Sequence, residues 1–166
     1  MKKTRSFLSL LLVLTMLCPA ALAAEPAGKS AAPVSYSLKV NGQTPDLSDL
    51  PRPIYEEDGS VMIPLRKTAE ALGLTVAWRA DLHAAQVEDS VQSALVQDGS
   101  AAADFTGKLT VINLTREETM PAAARIFQGY TYVPASYFEW FFNDVTVSGT
   151  AVSVDPIVYY LDNAGT

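Results

Sequence analysis

The chain is poor in the residues that build reactive sites, with one cysteine and one histidine among 166 residues. The cysteine, Cys18, lies within an N-terminal leader, so a chain cleaved behind that leader has no thiol. Such a chain has no disulfide, no thiolate nucleophile and no cysteine-bound metal. We therefore expect no metal and no cofactor.

The sequence also lacks a long hydrophobic run. Its N-terminal apolar stretch, Phe7–Leu17, has 11 residues, whereas about 20 are needed to span a bilayer. Three basic residues precede this stretch, and Ala21-Leu22-Ala23 fits the small-x-small rule for cleavage. Residues 1–23 are predicted to be a signal peptide, so the chain would meet the membrane only transiently and end up secreted or in the cell envelope. The alternatives are an uncleaved anchor and a lipoprotein cleaved before Cys18, although Leu17 is not the small residue expected there.

Positive charge is scarce beyond the leader. Removing residues 1–23 leaves 9 of the 12 Lys and Arg against 18 Asp and Glu, a net charge of −9. Nucleic acids and anionic membrane surfaces both select for a basic footprint. We expect neither as a partner.

The stretch Ser60–Trp78 is the most regular part of the sequence and predicts a strand, a short helix and a second strand. Pro64 ends the first strand because it cannot donate to a sheet ladder, and it suits the first turn of a helix. Gly73 falls where a left-handed helix cap is needed. The alternating residues up to Trp78 predict a half-buried strand with Trp78 in the core. Asp58-Gly59 predicts a two-residue hairpin turn just upstream.

A weaker copy of this stretch follows 70 residues later. Gly59 and Pro64 correspond to Gly129 and Pro134, and the second copy predicts a helix from Ala135 to about Phe142. Its expected signals are a capping box formed by Ser136 and Glu139, a left-handed cap at Asn143 and a closing hairpin around Ser148-Gly149-Thr150.

These patterns predict an α+β fold, in which two hairpin–short helix–hairpin repeats form one compact antiparallel-sheet domain with pseudo-twofold character. Residues 24–35 are a flexible lead-in, and the domain covers 36–161, with repeats at about 36–90 and 91–155. Further strands are expected at Lys108–Leu114 and Ile157–Leu161, and Asp98-Gly99 predicts a hairpin of the same turn type as Asp58-Gly59.

The second copy is unusually aromatic. Seven aromatic residues fall between positions 130 and 142, and they cannot all face one side of a short helix. They are either buried in a core shared by the two copies or partly exposed as a platform for cell-wall sugars or a protein. The candidate binding surface comprises Tyr130, Tyr132, Tyr137, Trp140 and Phe141.

The first copy resembles the copper amine oxidase N-terminal-like, or stalk, domain family from Val40-Asn41-Gly42 through Trp78, and Tyr130–Pro134 is similar to the family's second signature. The positions that carry the structural motif are Pro64, Arg66, Gly73, Trp78, Gly129 and Pro134. The resemblance implies a domain separate from the oxidase's catalytic domain, of a kind found on many exported proteins of Gram-positive bacteria. A copper site needs several imidazoles, which His83 alone cannot provide.

Few residues suggest chemistry. His83 lies beside Asp81 in a predicted loop, and Glu56-Glu57-Asp58 and Glu117-Glu118 are interpreted as solvated turn charges. Arg66 is expected to pair with Glu70 one helical turn on.

We expect an exported, non-catalytic cell-envelope module that acts in binding or spacing at the bacterial surface, with a cell-wall glycan or another envelope protein as its partner. The alternative is a small secreted hydrolase with a site at Glu56, Glu57 and His83. An enzyme would gather these side chains in one concave pocket.

Overall fold

The computed structural model describes residues 34–108 and 114–158. The predicted signal peptide, most of the lead-in and most of the strand predicted at 108–114 lie outside the described residues. In chain order, the elements are β1 (Ser37–Val40), β2 (Tyr55–Glu57), β3 (Ser60–Pro64), α1 (Leu65–Ala71), β4 (Thr75–Arg79), β5 (Ala84–Glu88), β6 (Gln92–Gln97), β7 (Ala102–Gly107), β8 (Thr115–Thr119), β9 (Arg125–Phe127), β10 (Tyr130–Pro134), a 3-10 helix (Ala135–Phe141), β11 (Asn143–Ser148) and β12 (Ala151–Pro156).

The strands form three sheets, and the two short helices lie between strands, which confirms the α+β class. The sheet orders are β1-β12-β11, β2-β3-β10-β9 and β4-β5-β6-β7-β8. All pairs are antiparallel except β1 with β12, which run parallel with Ser37 opposite Ala151 and Val40 opposite Val154. This parallel pair joins the first described strand to the last one and was not predicted.

The four-stranded sheet joins the two predicted copies through β3 and β10. The register places Ile63 opposite Val133, with Met62 opposite Pro134 and Pro64 opposite Tyr132. Each strand leads directly into a short helix, because proline ends both strands and cannot continue a ladder. The two helices therefore start from neighbouring strands that run in opposite directions.

The turns around the first helix follow the sequence signals. Asp58 and Gly59 both have positive φ, 52° and 74°, as the primed hairpin turn requires. The amides of Gly73 and Leu74 donate to the carbonyls of Glu70 and Ala69, at 3.0 and 2.9 Å. This is a Schellman cap, with Gly73 left-handed at φ 79°.

The end of the second helix differs from the prediction. Phe142, not Asn143, is the left-handed residue, with φ 59° and ψ 43°. The helix is 3-10, and Asn143 already belongs to β11. The buried side chain of Asn143 turns back, and its Nδ2 donates to the carbonyls of Phe138 and Phe141, each at 3.0 Å. Asn143 thus caps the helix through its amide group rather than through its backbone.

The prediction of a capping box at the start of that helix is also wrong. Pro134 is the residue that precedes the helix, and no side chain in the described residues caps this end. Ser136 lies inside the helix instead, two positions after the N-cap position that Pro134 occupies.

The main hydrophobic core is built around aromatic side chains of the second copy. Tyr137, Phe138 and Phe141 are buried, and Phe105 of β7 packs against Tyr137 and Phe141 with ring centroids 6.0 and 5.5 Å apart. A smaller cluster contains Met62, Ala122 and Tyr132. Of the two alternatives for the aromatic residues at 130–142, burial in the core therefore applies to most of them.

Three smaller predictions need correction. At the β6–β7 turn only Gly99 has positive φ, so this turn is not of the type seen at Asp58-Gly59. Glu117 and Glu118 lie within β8, which is an edge strand, and not at a turn. Ile157 and Val158 follow the end of β12 without strand structure, and the rest of the strand predicted at 157–161 lies outside the described residues. Within 34–108 and 114–158, the helices are too short to cross a membrane.

Candidate binding groove

A concave site of about 380 Å³ lies where the start of α1, strand β4 and the β9–β10 hairpin meet. It is called here the first groove. The tip of the β9–β10 hairpin forms one wall, and the first turn of α1 forms another. The side chains that give the first groove its chemistry are Asp49, Arg66, Lys67, Glu70, Trp78 and Tyr130.

Trp78 lies in the wall of the first groove and is 49 % exposed. The prediction that Trp78 is a core residue is therefore wrong. Trp78 shares a strand face with Val76, which packs against the core, because side chains alternate along a strand. The residue opposite Trp78 is the small Ala85, so open space remains beside the indole where the core ends. The alternation was interpreted correctly, but the extent of the core was not.

Two exposed ion pairs line the first groove. Arg66 Nη1 lies 3.4 Å from Glu70 Oε1, as predicted, and Lys67 Nζ lies 3.0 Å from Asp49 Oδ1. Hydrogen bonding to Asp49 raises the pKa of Lys67. Exposed pairs of this kind contribute little to stability, because solvent screens their charges. Their charges balance, with two basic and two acidic side chains.

Arg66 makes a further contact that ties α1 to β4. Its Nη1 donates to the backbone carbonyl of Val76 at 3.1 Å. A guanidinium group can donate to a strand carbonyl in this way only where no neighbouring strand already pairs with that carbonyl.

A second groove, of about 290 Å³, is also lined by the tip of one hairpin and the start of one helix. It lies between the tip of the β2–β3 hairpin, at Gly59-Ser60-Val61, and the start of the 3-10 helix, at Pro134-Ala135-Ser136. Adding 70 to the hairpin positions gives residues that line the first groove, as does subtracting 70 from the helix positions. The second groove has Ser136 where the first has Arg66, and it contains no aromatic residue.

The predicted aromatic platform is divided by the fold. Tyr132, Tyr137 and Phe141 are buried and cannot form a binding surface, so the platform hypothesis is wrong for them. Burial strongly raises the pKa of Tyr137. Trp140 is partly buried, with its ring 5.3 Å from that of Phe105. Only Tyr130 lines a groove.

A satellite cluster of aromatic rings lies beside β2 and β9. The Arg52 guanidinium is 3.8 Å from the Tyr55 ring centroid and 4.6 Å from that of Phe127, within the range of a cation–π interaction. Burial, together with the charge of Glu57, raises the pKa of Tyr55 to about 12. Glu57 in turn accepts a hydrogen bond from Arg125 at 2.7 Å.

The residues of the hydrolase alternative lie outside both grooves. His83 is an exposed turn residue with φ 49°, Glu57 pairs with Arg125, and Glu56 accepts a hydrogen bond from the Tyr36 hydroxyl at 3.2 Å. Neither groove is lined by Glu56, Glu57 or His83. Across the described residues, no group of three or more His, Cys, Asp or Glu could hold a metal.

The family comparison assigns the domain. The family described as the copper amine oxidase N-terminal domain matches residues 39–155. The chain belongs to this family. In copper amine oxidases this domain is a stalk-type module that is separate from catalysis.

One curated relative is a protein named "Protease inhibitor" from Brevibacillus choshinensis, 28 % identical over 144 residues. The match covers 86 % of this chain but only 41 % of the relative, so the chain spans less than half the length of that protein. No solved structure shows significant similarity to the chain.

In this copper amine oxidase N-terminal domain, most of the motif residues surround the grooves. Pro64, Arg66, Trp78 and Gly129 line the first groove, and Pro134 lines the second. The sequence analysis missed Asp49 and Lys67, because a groove between elements leaves no periodic signal. The 70-residue offset brings the start of one helix to the other copy's hairpin and could have indicated Lys67 beside Arg66, but no sequence signal indicates Asp49.

Proposed function

We propose that the chain is an exported, non-catalytic module of the bacterial cell envelope that binds a partner through the first groove. The observation that carries this proposal is the half-exposed indole of Trp78 in a concave site. A concave site with an aromatic wall and a few convergent polar groups is the usual form of a binding site. The second groove lacks both the indole and the basic pair.

The non-catalytic part of the proposal draws on the family and on the separation of the candidate catalytic residues. The stalk-type domain of the oxidases does no chemistry, and His83 lies in neither groove. Purified protein is expected to show no turnover of peptide, ester or glycan substrates. Reproducible hydrolysis that is lost on changing His83→Ala would revive the hydrolase alternative.

A protein partner is favoured over a glycan by the relative that is named a protease inhibitor, because an inhibitor of proteases binds protein. Protease inhibition by this chain is accordingly a second candidate function. Titration of trypsin-like and subtilisin-like proteases with the exported chain tests it. Since the match covers 41 % of the relative, the inhibitory part of that protein can lie outside the shared region.

The two halves of the domain are proposed to be structural repeats related by a local twofold axis. In an antiparallel pair, such an axis passes midway between two residues that lie opposite each other. Ile63 and Val133 are opposite and are 70 positions apart, the same offset that relates the lining of the two grooves. The first groove would then be the elaborated member of a pair.

Export is tested by expressing the full chain and sequencing the N-terminus of the form found outside the cytoplasm. We expect that form to begin at Ala24 and to be absent when residues 1–23 are deleted. An uncleaved chain that stays in the membrane fraction would contradict the signal-peptide prediction.

Groove binding is tested with the exported chain against purified peptidoglycan and against an envelope extract. We expect Trp78→Ala to reduce capture at least tenfold. Val147→Ala is the matched control, because Val147 is 48 % exposed and lines the second groove. Equal capture by both variants would show that the first groove is not the binding surface.

A further inference from the structure

The first groove runs along an unpaired sheet edge. Strand β4 is the outermost strand of the five-stranded sheet, and its only strand partner among the described residues is β5. The groove is lined by Val76, Ala77 and Trp78 of this strand. An unpaired edge presents a row of backbone donors and acceptors that can pair with another strand.

The contact of Arg66 shows which backbone groups face outward. Because Arg66 Nη1 reaches the Val76 carbonyl at 3.1 Å, this carbonyl points away from β5. In an antiparallel ladder, every second residue directs both its N–H and its C=O to the same side. The backbone groups of Trp78, two residues on, therefore also face the groove.

Arg66 covers the edge only weakly. Its side chain is 53 % exposed, and its contact with Glu70 is long at 3.4 Å. An incoming strand can replace Arg66 as the hydrogen-bond donor to the Val76 carbonyl if that strand offers the guanidinium another acceptor. An acidic side chain on that strand meets this requirement, because a carboxylate binds arginine more strongly than a neutral carbonyl does.

We propose that the first groove binds an extended polypeptide segment, which pairs with β4 as an added strand and carries an acidic residue next to an apolar one. The acidic residue pairs with Arg66, the apolar residue covers the Trp78 indole, and the segment's backbone pairs with that of Val76 and Trp78. This inference rests on the proposed binding function and specifies the class of its partner. Strand addition of this kind derives affinity from the backbone and specificity from alternate side chains.

A glycan is the competing occupant, because a sugar ring can also stack on Trp78. It would use the indole and the exposed charges but would leave the backbone edge unused. The two occupants therefore differ in whether binding depends on backbone amides.

The probe is an acetylated and amidated nonapeptide of alternating threonine and valine that begins and ends with threonine, with a central glutamate flanked by valine. Its matched control has the same sequence with alternate amides N-methylated, which keeps the side chains but removes the donors that a ladder needs. A dimer of N-acetylglucosamine is the glycan probe. Binding to the exported full chain is followed by backbone amide NMR and by tryptophan fluorescence.

We expect the unmethylated peptide to bind with a Kd at least tenfold lower than the methylated one and to shift the amide signals of Val76 and Trp78. Replacing the glutamate of the peptide by glutamine should raise its Kd at least threefold. That difference should vanish in Arg66→Ala and persist in Ser136→Ala, the corresponding change in the second groove. Because Arg66 and Ser136 lie on helix surfaces at the grooves, neither change should unfold the domain.

Equal binding of the methylated and unmethylated peptides would overturn the strand inference. Binding of the disaccharide alone, with shifts at Trp78, would overturn it as well while leaving the proposed groove function intact. If neither probe binds and Trp78→Ala captures envelope components as well as the unchanged chain does, both proposals fail.

Discussion

Ile63 and Val133 lie opposite each other at the centre of the antiparallel pair β3–β10, and both are completely buried. On either side, Met62 lies opposite Pro134 and Pro64 lies opposite Tyr132. This contact therefore joins the two halves of the domain. Each residue also belongs to the main hydrophobic core. This pair therefore contributes to the packing of both halves.

Ile63→Ala is expected to lower the free energy of unfolding by about 2–5 kcal/mol, because it leaves a cavity in a closely packed core. Urea unfolding of the purified chain measures the change. The loss in Ile63→Ala/Val133→Ala should differ from the sum of the two single changes, since contacting residues couple. Val147→Ala, at an exposed site, is the control and should change stability by less than about 0.5 kcal/mol.

Trp78→Ala is expected to cost about 2 kcal/mol of stability, because half of the side chain is already in water. Phe105→Ala should cost about 3–5 kcal/mol, since Phe105 is completely buried among aromatic rings. Thermal unfolding of the two variants gives the comparison. A loss at Trp78 as large as that at Phe105 would restore the original placement of Trp78 in the core.

Asn143→Ala should destabilise the domain by about 1–3 kcal/mol, because it leaves two buried helix-end carbonyls without their donor. Asn143→Asp is the sharper variant. It keeps the shape but replaces the donating amide with a charged acceptor, so it should be at least as damaging at neutral pH. Denaturant unfolding of both variants measures the change in stability. A small effect of Asn143→Asp would contradict the capping role.

Phe142→Gly is expected to be more stable than Phe142→Ala by about 0.5–1 kcal/mol, because glycine relieves the left-handed backbone but loses part of that gain as entropy on folding. Phe142 is 57 % exposed, so little packing is given up. Comparison of urea midpoints at equal slope measures this gain. Phe142→Ala serves as the control, because it removes the ring but keeps the backbone strain. Destabilisation by glycine equal to that by alanine would show that the ring matters more than the backbone.

Stability is expected to fall as the pH rises from about 10 to about 12. The pKa of Tyr55 is raised from 10.0 to about 12 in the folded protein, so the folded state holds this proton more tightly than the unfolded state. The stabilisation is complete below the unfolded value and is lost as the pH passes the folded one. Tyr55→Phe should flatten this fall in unfolding experiments. The burial of Tyr137 raises its pKa too, so ionisation followed by absorbance should show late-titrating tyrosines.

The local elements of the fold could be predicted because their signals are local. The Asp58-Gly59 turn, the glycine cap at Gly73 and the Arg66–Glu70 pair each depend on residues within a few positions. The parallel pairing of β1 with β12 depends on residues more than 100 positions apart. No periodicity within either strand indicates its partner.

The candidate site was harder to predict, since the exposure of a side chain depends on which residues of other elements cover it. Trp78 has the alternation of a core position, and only the small Ala85 opposite it and the open groove beside it leave the indole in water. In the same way, nothing in the sequence distinguishes Tyr132 and Tyr137 from surface residues, and the structure buries both. Residue type suggested aromatic recognition, but the tertiary packing decided which aromatic residue is available.

The parallel alignment of β1 and β12 has a mechanical consequence. If the domain is pulled through Ser37 and Pro156, the two strands are drawn in opposite directions along their common axis. Their hydrogen bonds are then loaded together in shear instead of opening one after another like a zipper. A domain pulled through these two residues resists stretching until the whole pair ruptures.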